Sequence, residues 1–172
     1  MSKLCIDGGV CLAAALSALA VGIGTACAQV PQTVAAPGQI AFATYQAQGA
    51  QVYECKAAGD GKLGWAFREP IATLIFEGKT VGRHYAGPTW EQIDGSAVTA
   101  KAVANAPGKN TSDIPLLKLE VNGHRGGQGV LSGATIVQRL NTVGGVHTGA
   151  CDRAGMLHSA AYSAEYVFLK SP

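Results

Sequence analysis

Charge is scarce in this 172-residue chain: 14% of residues are Asp, Glu, Lys or Arg, and the formal net charge is +2. No basic patch exists to neutralise a run of phosphates, so nucleic acid is not the expected partner. An acidic run and a basic amphipathic helix are also missing. Past the first 28 residues no apolar run approaches the roughly 20 residues that a bilayer span needs. Sustained helical periodicity is absent, and no internal repeat stands out. The four histidines, His84, His124, His147 and His158, include no H-x-H or H-x-x-x-H pair. A metal site would have to assemble from distant positions, and none is expected. The G-x-S-x-G elbow of a serine hydrolase is missing too. No cofactor is expected.

Cysteine and the apolar run at the start are informative. Lys3 and the amino terminus, blunted by Asp7, precede the apolar stretch Val10 to Ala20, which leads to Ala26-Cys27-Ala28. That is the order of a signal peptide with a small-x-small cleavage site, and cleavage is expected after Ala28. A lipid-anchored Cys27 is the lesser alternative, since Gly24 stands where such signals usually carry Leu. Of the five cysteines, Cys5, Cys11 and Cys27 would leave with the leader, and Cys55 and Cys151 would remain. An even pair in an oxidising compartment points to a disulfide; two buried thiols or a two-ligand metal site are the alternatives. A loop of about 95 residues closed this way is assigned up to about 4–5 kcal/mol by chain entropy. The expected location is periplasmic or secreted.

The rest is one domain's length. Residues 29–38, with two prolines, read as an extended linker, and residues 39–172 as a single all-β domain. Leu117, Leu119 and Val121 alternate with Lys118 and Glu120, and Asn122-Gly123 is expected to turn the chain. Tyr162, Ala164, Tyr166 and Phe168 alternate with Ser163 and Glu165. Further strands are expected over Gln51–Lys56, Trp65–Arg68, Ala72–Glu77, Val81–Tyr85 and Thr135–Leu140. Ala-rich Ser96–Asn105 could pass for a helix, but its alternation favours a strand. Ala57–Gly64, Asn105–Ser112 and Gly123–Gly129 read as loops. Runs at this spacing imply an antiparallel β-sandwich or a small closed β-barrel.

Gly59-Asp60-Gly61-Lys62-Leu63-Gly64 fits the dinucleotide pattern G-x-G-x-x-G. The pattern works only between a strand and a helix, whereas here a strand-like run ending at Pro70 follows. It reads as a hairpin turn, and a Rossmann-type dehydrogenase is excluded. Val81–Ser96 is the densest window, carrying Arg83, His84, Tyr85, Trp90, Glu91 and Asp94. A half-exposed His84 with Glu91 or Asp94 is the candidate acid–base pair. Arg83, His84, Tyr85, Trp90 and Glu91 are the candidate ligand contacts, joined from elsewhere by Arg139 and Asp152. Strand geometry puts Arg83 and Tyr85 on one face and His84 on the other, so only one set can face a given cavity. The plainer alternative is a hairpin with core aromatics and an exposed acid.

Several blocks resemble one family. They are Gln51-Val52-Tyr53-Glu54-Cys55, Trp65, Val81 to Glu91 with Asp94-Gly95-Ser96, Ile114 to Leu119, and Gln138 to Thr142 with Gly144-Gly145. Cys151-Asp152 and Ala164 to Phe168 complete the set. Their order is that of the domain of unknown function DUF3455. The resemblance implies an exported bacterial or fungal protein, with no established activity or cofactor. The label malate dehydrogenase carried by some fungal relatives does not fit the glycine run or the lack of βαβ units. The expected role is a small-molecule-binding or structural module of the envelope or secretome. A small extracytoplasmic enzyme and an envelope component with a protein partner are the alternatives.

Overall fold

The computed structural model describes residues 30–172. The expected signal peptide and its cleavage site lie outside the described residues. A 3-10 turn at Gln32–Val34 precedes eight strands: β1 (Ile40–Ala57), β2 (Leu63–Phe76), β3 (Lys79–Tyr85), β4 (Thr89–Gln92), β5 (Ala97–Ala106), β6 (Leu116–Arg125), β7 (Ile136–Gly144) and β8 (Leu157–Lys170). Each strand pairs antiparallel with the next, and β8 pairs with β1, so one sheet closes on itself as a barrel. Of the two expected architectures the chain adopts the closed one, which leaves no sheet edge exposed. No helix among the described residues is long and apolar enough to cross a membrane.

Closure needs curvature, and the sequence supplies it locally. The ladders slip between Val52 and Tyr53, between Leu74 and Ile75, and between Leu140 and Val143. Each such bulge adds a residue to one strand and bends it. At Gly49 a Cβ would run into the Ile71 carbonyl, and at Gly82 into that of Glu91. Only glycine lets neighbouring strands coil that tightly there. Pro70, expected to separate two strands, instead sits inside continuous β2 opposite Gln51. Asn122-Gly123 does not turn the chain. It falls within β6, where the ladder slips opposite Thr99 and Ala100, so the pair serves a bulge and the strand runs on to Arg125. The glycine run at 59–64 does form the β1–β2 turn, held by Ala58 N donating to the Lys62 carbonyl at 2.8 Å.

Alternation sorts the side chains. Tyr45, Leu74, Val98, Leu131, Val137 and Phe168 are buried together and fill one end of the barrel. A smaller cluster joins Val34, Ala106 and Leu140 with Leu116 and Val167. Leu140 and Val137 belong to different clusters, as strand neighbours of opposite parity must. Val34 is fully buried, and Gln138 Nε2 donates to its carbonyl at 2.6 Å. The stretch expected as an extended linker is thus folded onto the outer wall at its 3-10 turn.

The long strands β1, β2 and β8 overrun the other end. There the β7–β8 connection folds back across them. Cys55 and Cys151 form a disulfide with Cα atoms 5.9 Å apart, and Trp65 N donates to the Gly149 carbonyl. Tyr53 Oη donates to the Gly145 carbonyl at 2.8 Å. The bridge ties strand β1 to this crossing segment, close to the open end.

Candidate ligand cavity

His84 on β3 lies directly opposite Trp90 on β4, so both side chains project from the same face. That face is the interior. The rings stack at 4.4 Å with an interplanar angle of 10°. Tyr166 comes from β8 across the barrel, 4.9 Å from the His84 ring and 5.3 Å from Trp90. Above this aromatic floor is a cavity of about 670 Å³. Its walls are largely apolar, with Ala100, Ile114, Leu117 and Leu119; Tyr53, Phe67, Pro70 and Pro88 also line it. That volume falls within the roughly 300–1,000 Å³ of ligand sites.

The polar groups of the cavity follow one pattern. Arg139 on β7 stands in register with Tyr166, and its guanidinium lies beside the Tyr166 hydroxyl. Its Nε donates to the Pro115 carbonyl at 2.9 Å. Arg68 and Lys101 also line the cavity, and no Asp or Glu does. Trp90 Nε1 and Gln51 Nε2 are buried donors without a protein partner. Gln51 approaches the Tyr162 hydroxyl, but its Nε2 makes no well-formed hydrogen bond.

Titration in this interior is suppressed. Burial, helped by the Arg139 charge and opposed by the bond to Thr89, lowers the His84 pKa to about 3. The Thr89 carbonyl can only accept, so His84 Nδ1 donates to it, at 2.8 Å, and Nε2 keeps the lone pair. Burial raises the phenols of Tyr162 and Tyr166, whose oxygens are 3.4 Å apart. At neutral pH the imidazole and both phenols are therefore uncharged, and the guanidinium is cationic.

The structure divides the residues singled out in the sequence. His84, Trp90 and Arg139 meet at the cavity. Arg83, Tyr85 and Glu91 are on the outer surface, where Arg83 donates to Glu91 Oε1 at 2.9 Å and Tyr85 to Oε2 at 2.6 Å. Arg125 Nη2 donates to Tyr85 Oη at 2.7 Å, completing an external network. The tyrosine and arginine bonds hold the Glu91 carboxyl below its usual pKa. Asp94 sits in the β4–β5 turn, accepting from Ser96 N and Oγ and from Val130 N. Asp152 is exposed beside the disulfide and does not line the cavity. The expected acid–base pair is therefore not formed: His84 faces inward, Glu91 outward, and Asp94 is committed to a turn. His84 is also 3% exposed rather than half-exposed.

Gln51, Tyr162 and Tyr166 went unnoticed in the sequence because their alternation marks core positions. The hydroxyls were the available signal, since a buried phenol seeks a polar partner. His147 and His158, far apart in sequence, also meet near the mouth. Their rings stack at 3.6 Å, 5.1 and 5.7 Å from Trp65. Face-to-face stacking does not aim two nitrogens at a common point.

No curated protein and no solved structure gives a significant match to this chain. A family model, described as a protein of unknown function (DUF3455), matches residues 75–170. The match begins at the end of β2, so β1 and most of β2 complete the barrel from outside the matched span. It covers more than half of the 172 residues, and the chain belongs to the DUF3455 family.

Proposed function

We propose that this barrel is an exported small-molecule-binding protein that holds its ligand in the interior cavity. The observation that carries the proposal is a cavity of about 670 Å³ with largely apolar walls, lined also by Arg139, whose charge is in no ion pair among the described residues. A barrel serving only as a scaffold gains stability by filling such a space, because voids cost free energy. The expected envelope or secreted location is supported by the Cys55–Cys151 bridge, a bond that persists in oxidising compartments. Nothing in the geometry favours the enzyme alternative, since the candidate acid and base face opposite sides of the wall.

Native mass spectrometry of the protein purified from its own host tests this. The expected spectrum shows the mature mass plus a non-covalent adduct of a few hundred daltons, lost under denaturing conditions. A bare mature mass, together with failure to bind any apolar probe, would overturn it. The same spectrum reports whether the mature chain begins at Gln29.

A further inference from the structure

The cavity's charge pattern narrows the ligand class. Arg139 enters from β7 and spends its Nε–H on the Pro115 carbonyl. None of the ion pairs among the described residues involves it. A carboxylate from the barrel could have neutralised it, yet no Asp or Glu lines the cavity. Arg139 is partly exposed, so its guanidinium stays within reach of a ligand, and an incoming anion meets it beside apolar walls where attraction is stronger than in bulk water. The guanidinium fork also matches carboxylate, sulfonate and phosphate oxygens in pairs.

A second cation points the same way: Lys101, exposed and in no ion pair among the described residues, also lines the cavity. His84 is neutral there and adds no competing charge. The Trp90, His84 and Tyr166 rings pack on one another and are buried, so a flat apolar group would meet the more accessible side chains of Tyr53, Phe67, Pro88 and Leu117. A ligand cation would meet Arg139 and Lys101 with no acid lining the cavity; Arg68, the third cation there, is paired with Glu69 at 3.1 Å.

We infer that the cavity takes an amphipathic organic anion, its acidic head at Arg139 and its apolar, ring-sized body against Tyr53, Phe67, Pro88 and Leu117. This rests on the cavity being a binding site at all, and the test separates the two statements. The probes are 8-anilinonaphthalene-1-sulfonate and its uncharged parent, N-phenyl-1-naphthylamine, titrated against the folded, oxidised protein. Both should bind, the sulfonate at least tenfold more tightly. Arg139→Gln should remove that preference and leave the neutral probe's affinity unchanged. In the wild type, the Arg139 Nε–H resonance should shift with the sulfonate and not with the amine. This reading stands even if the variant fails to fold.

Equal affinities, or a preference for the amine, would overturn the anion inference and leave the cavity proposal standing. A preference retained in folded Arg139→Gln would move the head group to Arg68 or Lys101 and overturn the assignment to Arg139. Binding of neither probe would overturn both.

Discussion

Acid should weaken this barrel through His84, by an amount that can be worked out. The imidazole is 3% exposed, stacked on Trp90 and hydrogen-bonded to the Thr89 carbonyl. Its folded pKa is about 3, against about 6.5 in an unfolded chain. Between those values the unfolded state binds the proton and the folded state does not. The contribution of the neutral imidazole is therefore complete above pH 6.5 and is lost as pH falls toward 3. At pH 4.5 the loss is about 3 kcal/mol, two pH units at about 1.4 kcal/mol each. His84→Phe keeps a flat ring against Trp90 but leaves the Thr89 carbonyl unpaired, a cost of about 1–3 kcal/mol at pH 7. The variant should be the weaker protein at pH 7 and should equal or exceed wild type at pH 4.5. Urea unfolding at both pH values, with the disulfide intact, measures this. His147, Glu91, Asp94 and Asp113 also titrate from lowered pKa values, but they are common to both proteins and cancel in the difference. Equal losses of stability in wild type and variant between pH 7 and 4.5 would refute the reasoning.

Trp90→Ala should lower stability by about 3–5 kcal/mol, since the indole is 1% exposed; thermal unfolding checks it. Replacing both Cys55 and Cys151 by Ser should cost up to about 4–5 kcal/mol, and the oxidised wild type should present neither thiol to alkylation. Glu91→Gln should change stability by less than about 1 kcal/mol, as its partner Arg83 is solvent-exposed. Binding of N-phenyl-1-naphthylamine should be untouched, because Glu91 is on the outer surface.

Much of the fold was legible because period-two alternation reports which side of a sheet is buried. Tyr162 to Phe168 and Leu117 to Val121 are strands for that reason; Ala-rich Val98 to Ala102 is a strand too, though Ala102, expected on the buried face with Val98 and Ala100, is exposed next to a slip in the ladder. Closure was not legible: the pairing of β1 with β8 joins Ile40 to Lys170, and no local pattern encodes a partner so distant. Pro70 and Asn122-Gly123 misled for one shared reason. Both have turn chemistry in isolation, and both are absorbed within strands, the second at a bulge that closing the barrel requires. The candidate site was half legible. The Val81–Ser96 window does supply His84 and Trp90, and parity separates His84 from Arg83 and Tyr85. Which parity faces inward is set by the rest of the ring, so the charged set, richest in conventional chemistry, turned out to be external. Arg139 earned attention only as a charge among apolar strands, and the structure gives that charge its place at the cavity.

The claim that the barrel interior is the binding site is tested most directly by an occlusion measurement. In Trp65→Phe protein, Trp90 is the remaining indole, and it lines the cavity. Titration with N-phenyl-1-naphthylamine should change its emission saturably at one probe per chain. Ala100, 2% exposed on β5, lines the same space, and Ala100→Phe should narrow it and weaken probe binding while circular dichroism shows the strands intact. A folded Trp65→Phe protein whose Trp90 emission ignores the probe, or undiminished binding in folded Ala100→Phe, would contradict the account.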